Sequence, residues 1–105
     1  MSLVKSLPFY QRFVQDIITG KKTITIRDAK AKDYTIGQTV NAITDHDKKI
    51  FAELQIFTIE SILFNELNDS HAKQENMPLL ELKETIRKIY PDVDELYVIG
   101  YQLID

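Results

Sequence analysis

Period-two alternation fills the first half of this chain, and the one long helical pattern follows it. "TITIR" (23–27) alternates strictly and is rich in β-branched residues, which marks a half-buried strand. Ile24 and Ile26 belong to one face, and Thr23, Thr25 and Arg27 to the other. "TVNAIT" (39–44) and "KIFAELQIFTI" (49–59) read as two more strands, joined by the polar turn "DHDKK". In the second of these, Ile50, Ala52, Leu54 and Ile56 share a face, with Phe51 and Phe57 opposite. From residue 60 to 90 the pattern turns helical. "ESILFNEL" is short and ambiguous, and "DSHAKQENM" is a polar helix or turn. Leu79, Leu82, Ile86 and Ile89 recur at three and four, between Pro78 and Pro91, as an amphipathic helix requires. "LYVIGYQLI" closes the chain as a strand, where Gly100 indicates a bulge or a close backbone approach. At the other end, Phe9, Tyr10, Phe13, Val14, Ile17 and Ile18 have helical spacing, with Pro8 at the start and Gly20 as the stop. Consecutive strands with helices grouped apart predict an α+β domain built on a mixed or barrel-like sheet. "DAKAKDYTIGQ" is expected to be a loop. No GxGxxG or phosphate-binding loop is present.

At 105 residues the chain is expected to be a single domain over 1–105. Its formal charge of −3 argues against a protein that grips a long nucleic acid, which needs a broadly basic face. The absence of cysteine excludes thiolate nucleophiles, disulfides and Cys-based zinc sites. No apolar run reaches the ~18 residues of a membrane span, and "MSLVKSLPFYQRF" lacks an apolar run of signal-peptide length. The expectation is a cytoplasmic protein with no membrane contact, able to stand as a monomer.

The unusual local feature is "GKKTITIR" (20–27), with three cations and two threonines in an acidic chain. A threonine hydroxyl is a weak nucleophile until a base takes its proton. Lys22 lies three residues from Thr25, and on a regular strand such positions face opposite ways. Lys22 can serve Thr25 only if it sits in the turn after Gly20, before the strand begins. It must also be neutral. Bringing its reference pKa of ~10.4 near 7 corresponds to roughly 4–5 kcal/mol, supplied by burial and by repulsion from Lys21 and Arg27. The plain alternative is a surface strand beside two solvated lysines.

The acidic candidate is Glu75, in "SHAKQEN". Alone it is a possible general acid. With His71 four residues earlier it shares a helical face, but two histidines in the chain and no HExxH make a metal site a weak reading; no metal is expected. The ion pair Lys22⁺/Glu75⁻ and the neutral pair Lys22/Glu75-H hold the same number of protons, and a dry pocket favours the neutral one.

These stretches carry a resemblance. Gly20, Lys22 and Arg27 fit the loose GxKxxExR pattern of the ASCH domains, a PUA-like β-barrel superfamily. Thr25 stands where many members carry Glu. That departure, with "FYQRF", "KTITIRD", "HAKQENM", "LLELK", "IYP" and "YVI", is similar to one subgroup, the small bacterial N4-acetylcytidine amidohydrolases. The likeness runs from about Phe9 to Leu103. It implies a PUA-like mixed β-barrel flanked by helices, with Thr25 as nucleophile, Lys22 as proton acceptor and Glu75 as proton donor. It further implies hydrolysis of N4-acetylcytidine, a small nucleoside, to cytidine and acetate without metal or cofactor. Arg27 would stabilise an oxyanion or hold the pyrimidine O2, or else form a structural ion pair that closes the barrel.

The alternative is a PUA-like RNA-binding module without catalysis, and a third reading is a non-catalytic nucleoside binder. Residues 20–27 carry +3, whereas residues 60–95 carry nine acids and four bases. That asymmetry suits a small ligand at a basic mouth and disfavours a long phosphate backbone. No stable nucleic-acid partner is therefore expected.

Overall fold

A computed structural model describes residues 5–104, so Met1–Val4 of the N-terminal stretch and Asp105 lie outside it. The chain order is β1 (Lys5–Phe9), a 3-10 turn (Gln11–Phe13), α1 (Val14–Ile18), β2 (Ile24–Arg27), a 3-10 helix (Ala29–Asp33), β3 (Thr39–Thr44), β4 (Ile50–Leu63), a 3-10 turn (Phe64–Glu66), α2 (Asp69–Gln74), α3 (Leu79–Ile89) and β5 (Glu95–Leu103). The five strands form one mixed sheet in the order β1-β3-β4-β5-β2, with β1 parallel to β3 and the other pairs antiparallel. The fold is α+β, as the grouping of patterns requires. Strand pairing leaves the sheet open, with β1 and β2 as its edges.

Three boundaries and one burial pattern differ from expectation. The first helix does not begin after Pro8, because Pro8 and Phe9 lie in β1. Leu7 and Phe9 are buried in strand alternation, and Phe9 also opens the three-four pattern that runs to Ile18, so the two periods overlap. An edge strand tolerates Pro8, which has no N–H to give a ladder. "ESIL" is not helical but continues β4, where Glu60–Leu63 pair with Val98–Glu95 of β5. β2 is buried on both faces, with Ile24, Thr25 and Ile26 all 7 % exposed or less. The expected loop at "DAKAK" is a short 3-10 helix.

The sheet separates two cores. Leu7, Phe9, Ile17, Val40, Leu54, Ile56, Ile99 and Tyr101 form one. Ile24, Ile26, Leu67, Ala72, Leu82, Ile86 and Leu96 form the other, mainly β2 and β5 against α2 and α3. Each fully buried aliphatic side chain contributes about 1.5–3 kcal/mol. Among the described residues no helix is long and apolar enough to cross a membrane.

One irregularity sets the phase of the long strands. Register slips between Ile56 and Thr58, which leaves Phe57 half exposed and lets Ile59 join the side of Leu54 and Ile56. Gly100 lies opposite Thr58 on one side and Ile24 on the other. A Cβ there would sit 2.2 Å from Thr58 Oγ1. Gly100→Ala is therefore expected to lower stability by about 1–3 kcal/mol in urea denaturation. Adding Thr58→Ala should restore most of the loss; an unrelieved double variant would place the strain elsewhere.

Candidate active site

Two helix ends and one strand start converge on the candidate residues. α1 ends in a Schellman motif: Gly20, at φ 78°, donates its N–H to Ile17 O at 3.2 Å, and Lys21 donates to Asp16 O at 2.9 Å. A side chain at Gly20 would strain this left-handed turn. The motif ends the helix, and Lys22, whose N–H also reaches Asp16 O at 2.9 Å, enters before β2 begins at Ile24. Lys22 thus occupies the turn that the opposite-face geometry of a strand demanded of it. α2 ends in the same way. Asn76, at φ 57°, donates to Lys73 O at 3.0 Å, and Met77 donates to Ala72 O at 3.0 Å. Glu75 is the C-cap residue of that helix. The two ends are tied by Thr23 N–H donating to Gln74 O at 2.8 Å.

Lys22 and Glu75 meet inside the protein. They are 2 % and 4 % exposed, and Lys22 Nζ donates to Glu75 Oε1. Nζ also donates to the Ile24 carbonyl at 2.8 Å and lies 4.9 Å from the centre of the Phe13 ring. The Lys22 carbonyl accepts the buried hydroxyl of Tyr101 at 3.0 Å, so both ends of the residue are fixed. Burial, with Arg27 nearby, holds the Lys22 ammonium well below lysine's usual pKa; Asp16 opposes this and Arg12 adds to it. A carboxylate at a helix C-terminus faces the negative end of the helix dipole. Its placement there is better explained by Lys22 than by helix stability.

Thr25 is 5 % exposed and pairs with Ile99 of β5. Its Oγ1 accepts a hydrogen bond from Arg27 Nε at 3.1 Å, which places the two side chains on one face as the alternation requires. Arg27 Nη2 donates to the Pro8 carbonyl, and the guanidinium lies 5.1 Å over the Phe9 ring. Arg27 therefore joins β2 to β1, the two edges that no backbone ladder connects among the described residues. Its partner is a carbonyl, not the carboxylate expected of an ion pair.

Lys22, Thr25, Arg27 and Glu75 all line a single cavity of about 220 Å³. Its remaining walls are Pro8, Phe9, Tyr10 and Phe13 from the N-terminal segment, Ile26 of β2, Met77, Leu82, Thr85, Ile86 and Ile89 around α3, and Asp45 and Tyr90. The base, hydroxyl, guanidinium and acid predicted from sequence are brought together. His71 is not: its Nδ1 accepts the Asn68 N–H at 3.2 Å as part of the α2 N-cap. Sequence reading missed Asp45, Tyr90 and Tyr101. Asp45 lies in a turn that only the β1–β3 pairing brings here, through its N–H to Phe9 O at 2.8 Å. The αL residue Asn76, followed by Pro78, was the one available signal for where α2 stops.

The chain is similar to known proteins over nearly its whole length. Residues 5–95 match the family model of the ASCH domain. A protein of Vibrio vulnificus (strain YJ016) named N(4)-acetylcytidine amidohydrolase is 49 % identical over 104 residues, covering 99 % of this chain and 100 % of the relative. A protein of that name from Serratia proteamaculans (strain 568) is 39 % identical over 97 residues, covering 92 % and 95 %. Among solved structures, an ASCH domain from Lactobacillus crispatus JV V101 superposes with a TM-score of 0.77 at 12 % identity, covering 94 % of this chain and 79 % of that one. A protein from Enterococcus faecalis V583 gives the same TM-score at 19 % identity, covering 100 % and 78 %. These two structures speak for the fold alone.

The buried pair has a testable titration. Ion pair and neutral pair hold the same number of protons, so they differ only in which side chain carries the proton. Glu75→Gln removes the pair's one carboxyl and leaves burial and Arg27 acting on Lys22. Between the lowered pKa of Lys22 and roughly 10.4 the unfolded state then binds one more proton than the folded state, and stability rises with pH. Urea denaturation of Glu75→Gln should show a rise of up to about 1.4 kcal/mol per pH unit approaching pH ~10. A Glu75→Gln stability that stays flat over that range would contradict a depressed Lys22.

Proposed function

The chain belongs to the ASCH domain family, and on that footing we propose that it is an amidohydrolase converting N4-acetylcytidine to cytidine and acetate. The observation that carries this reading is the buried Lys22–Glu75 pair in the same cavity as the Thr25 hydroxyl. The relatives that share nearly the whole chain bear the name of that activity.

In this reading the pair works as Lys22/Glu75-H, the arrangement that removes two desolvation costs at once. Neutral Lys22 accepts the Thr25 proton as the oxygen attacks the acetyl carbonyl. Arg27 Nε donates to Thr25 Oγ1 and leaves the hydroxyl hydrogen free to be given to a base. The C–N bond of the tetrahedral adduct breaks as Glu75 protonates the departing cytosine nitrogen. Acetate remains on Thr25 as an ester, and Glu75 remains as carboxylate. Water attacks the ester, giving its proton to Glu75, and Thr25 recovers its proton from Lys22. The site thus returns to its starting state. The Arg27 guanidinium is the side chain available for the developing oxyanion or for the pyrimidine O2. No metal or cofactor enters any step. We further read residues 1–105 as one domain, a monomer of the cytoplasm. Its sheet is read as a PUA-like barrel whose seam is spanned by Arg27.

Thr25→Val keeps shape and strand propensity and removes the oxygen. It is expected to lower kcat/KM for N4-acetylcytidine by at least about 10³-fold, while unfolding stays cooperative with a loss of no more than about 1–3 kcal/mol from the unpaired Arg27 Nε. Cytidine release followed by its ultraviolet absorbance measures this; retained turnover would exclude the threonine nucleophile. The parent rate should fall on both sides of a bell-shaped pH profile, because the pair must hold one proton. Glu75→Gln should slow turnover by about 10²–10⁴-fold and alter that profile.

A further inference from the structure

A shallow groove lined by Tyr10, Arg12, Thr85, Lys88 and Ile89 continues the catalytic cavity outward. Tyr10, Thr85 and Ile89 line both. The groove adds two cations to a protein of net charge −3. Arg12 is held in place: Nη2 donates to Thr85 Oγ1 at 3.2 Å and the guanidinium lies 4.7 Å over the Phe13 ring. Among the described residues its Nε and Nη1 have no protein acceptor, and neither Arg12 nor Lys88 forms an ion pair with a carboxylate. By contrast Arg87, the neighbour of Lys88 on α3, is fully engaged by Asp94 and two carbonyls. Tyr10, stacked on Phe13 with ring centres 6.2 Å apart and 43 % exposed, forms the partition between cavity and groove.

We infer that the groove is a subsite for a single phosphate on the ribose of the substrate, so that the protein takes N4-acetylcytidine monophosphate in preference to the free nucleoside. This rests on the amidohydrolase reading, since it is the acetylated base in the cavity that directs the ribose to the shared rim. A guanidinium fork and an ammonium suit a phosphate dianion, the first by direction and the second by charge. The surplus of acids over residues 60–95 limits the anion to one nucleotide.

The test compares N4-acetylcytidine, its 5′- and 3′-monophosphates and a short acetylated oligonucleotide as substrates at low ionic strength. Calorimetric binding of cytidine and the two cytidine monophosphates runs in parallel. One monophosphate should exceed the nucleoside by about tenfold in both kcat/KM and affinity, a margin that shrinks with added salt. Lys88→Gln should remove most of that margin while nucleoside turnover stays unchanged. Arg12→Gln with Lys88→Gln should remove it all, read as the ratio of the two substrates. Equal handling of nucleoside and both monophosphates, or a margin that survives the double variant, overturns the subsite and leaves the amidohydrolase reading standing. Preference for the oligonucleotide overturns the single-phosphate limit. If N4-acetylcytidine is not hydrolysed at all, the amidohydrolase reading falls, and the calorimetric comparison alone decides the subsite.

Discussion

The contact between Lys22 and Glu75 organises everything around it. Two ionisable groups taken out of water must find each other, since either alone in the core costs several kcal/mol. Their meeting fixes where α1 must stop, where α2 must stop and how closely β2 must pass the second helix end. The two Schellman turns and the Thr23–Gln74 hydrogen bond are the backbone expression of that demand. A pair so placed is poor evidence of stability and good evidence of use. Well-packed apolar residues would fill the same volume at no electrostatic penalty.

Much of this was legible beforehand, for reasons that can be located. β2, β3, α3 and β5 were readable because their periodicity runs long enough to be unambiguous and their ends carry Gly20, Pro78 and Pro91. β1 was hidden because Leu7–Phe9 is too short to outweigh the helical spacing that begins within it. The far end of β4 was hidden because the slip after Ile56 changes the phase of the alternation, and "ESIL" no longer continues the earlier pattern. Gly100 did signal irregularity, yet a glycine on β5 could not say that the extra residue lay on β4.

At the candidate site, Lys22, Thr25 and Arg27 were visible as a local cluster. Glu75 was visible as a candidate acid that could pair with Lys22, but nothing in a chain read residue by residue brings position 75 to position 22. Asp45, Tyr90 and Tyr101 are contributed by tertiary pairing, and no short-range pattern marks them. The groove at Arg12 and Lys88 is of the same kind. Each cation looks like ordinary solvated charge until α3 is laid beside the segment after β1.

Arg27 carries a further implication. The first and last strands in the sheet's spatial order are stitched by one guanidinium, and that same group donates to the threonine oxygen. One side chain thus serves both the join between the strands and the polar surroundings of that hydroxyl. Evolution in this scaffold can retune the walls of the pocket freely, but it has no route to altering the positive charge beside the hydroxyl that does not also unpick the join.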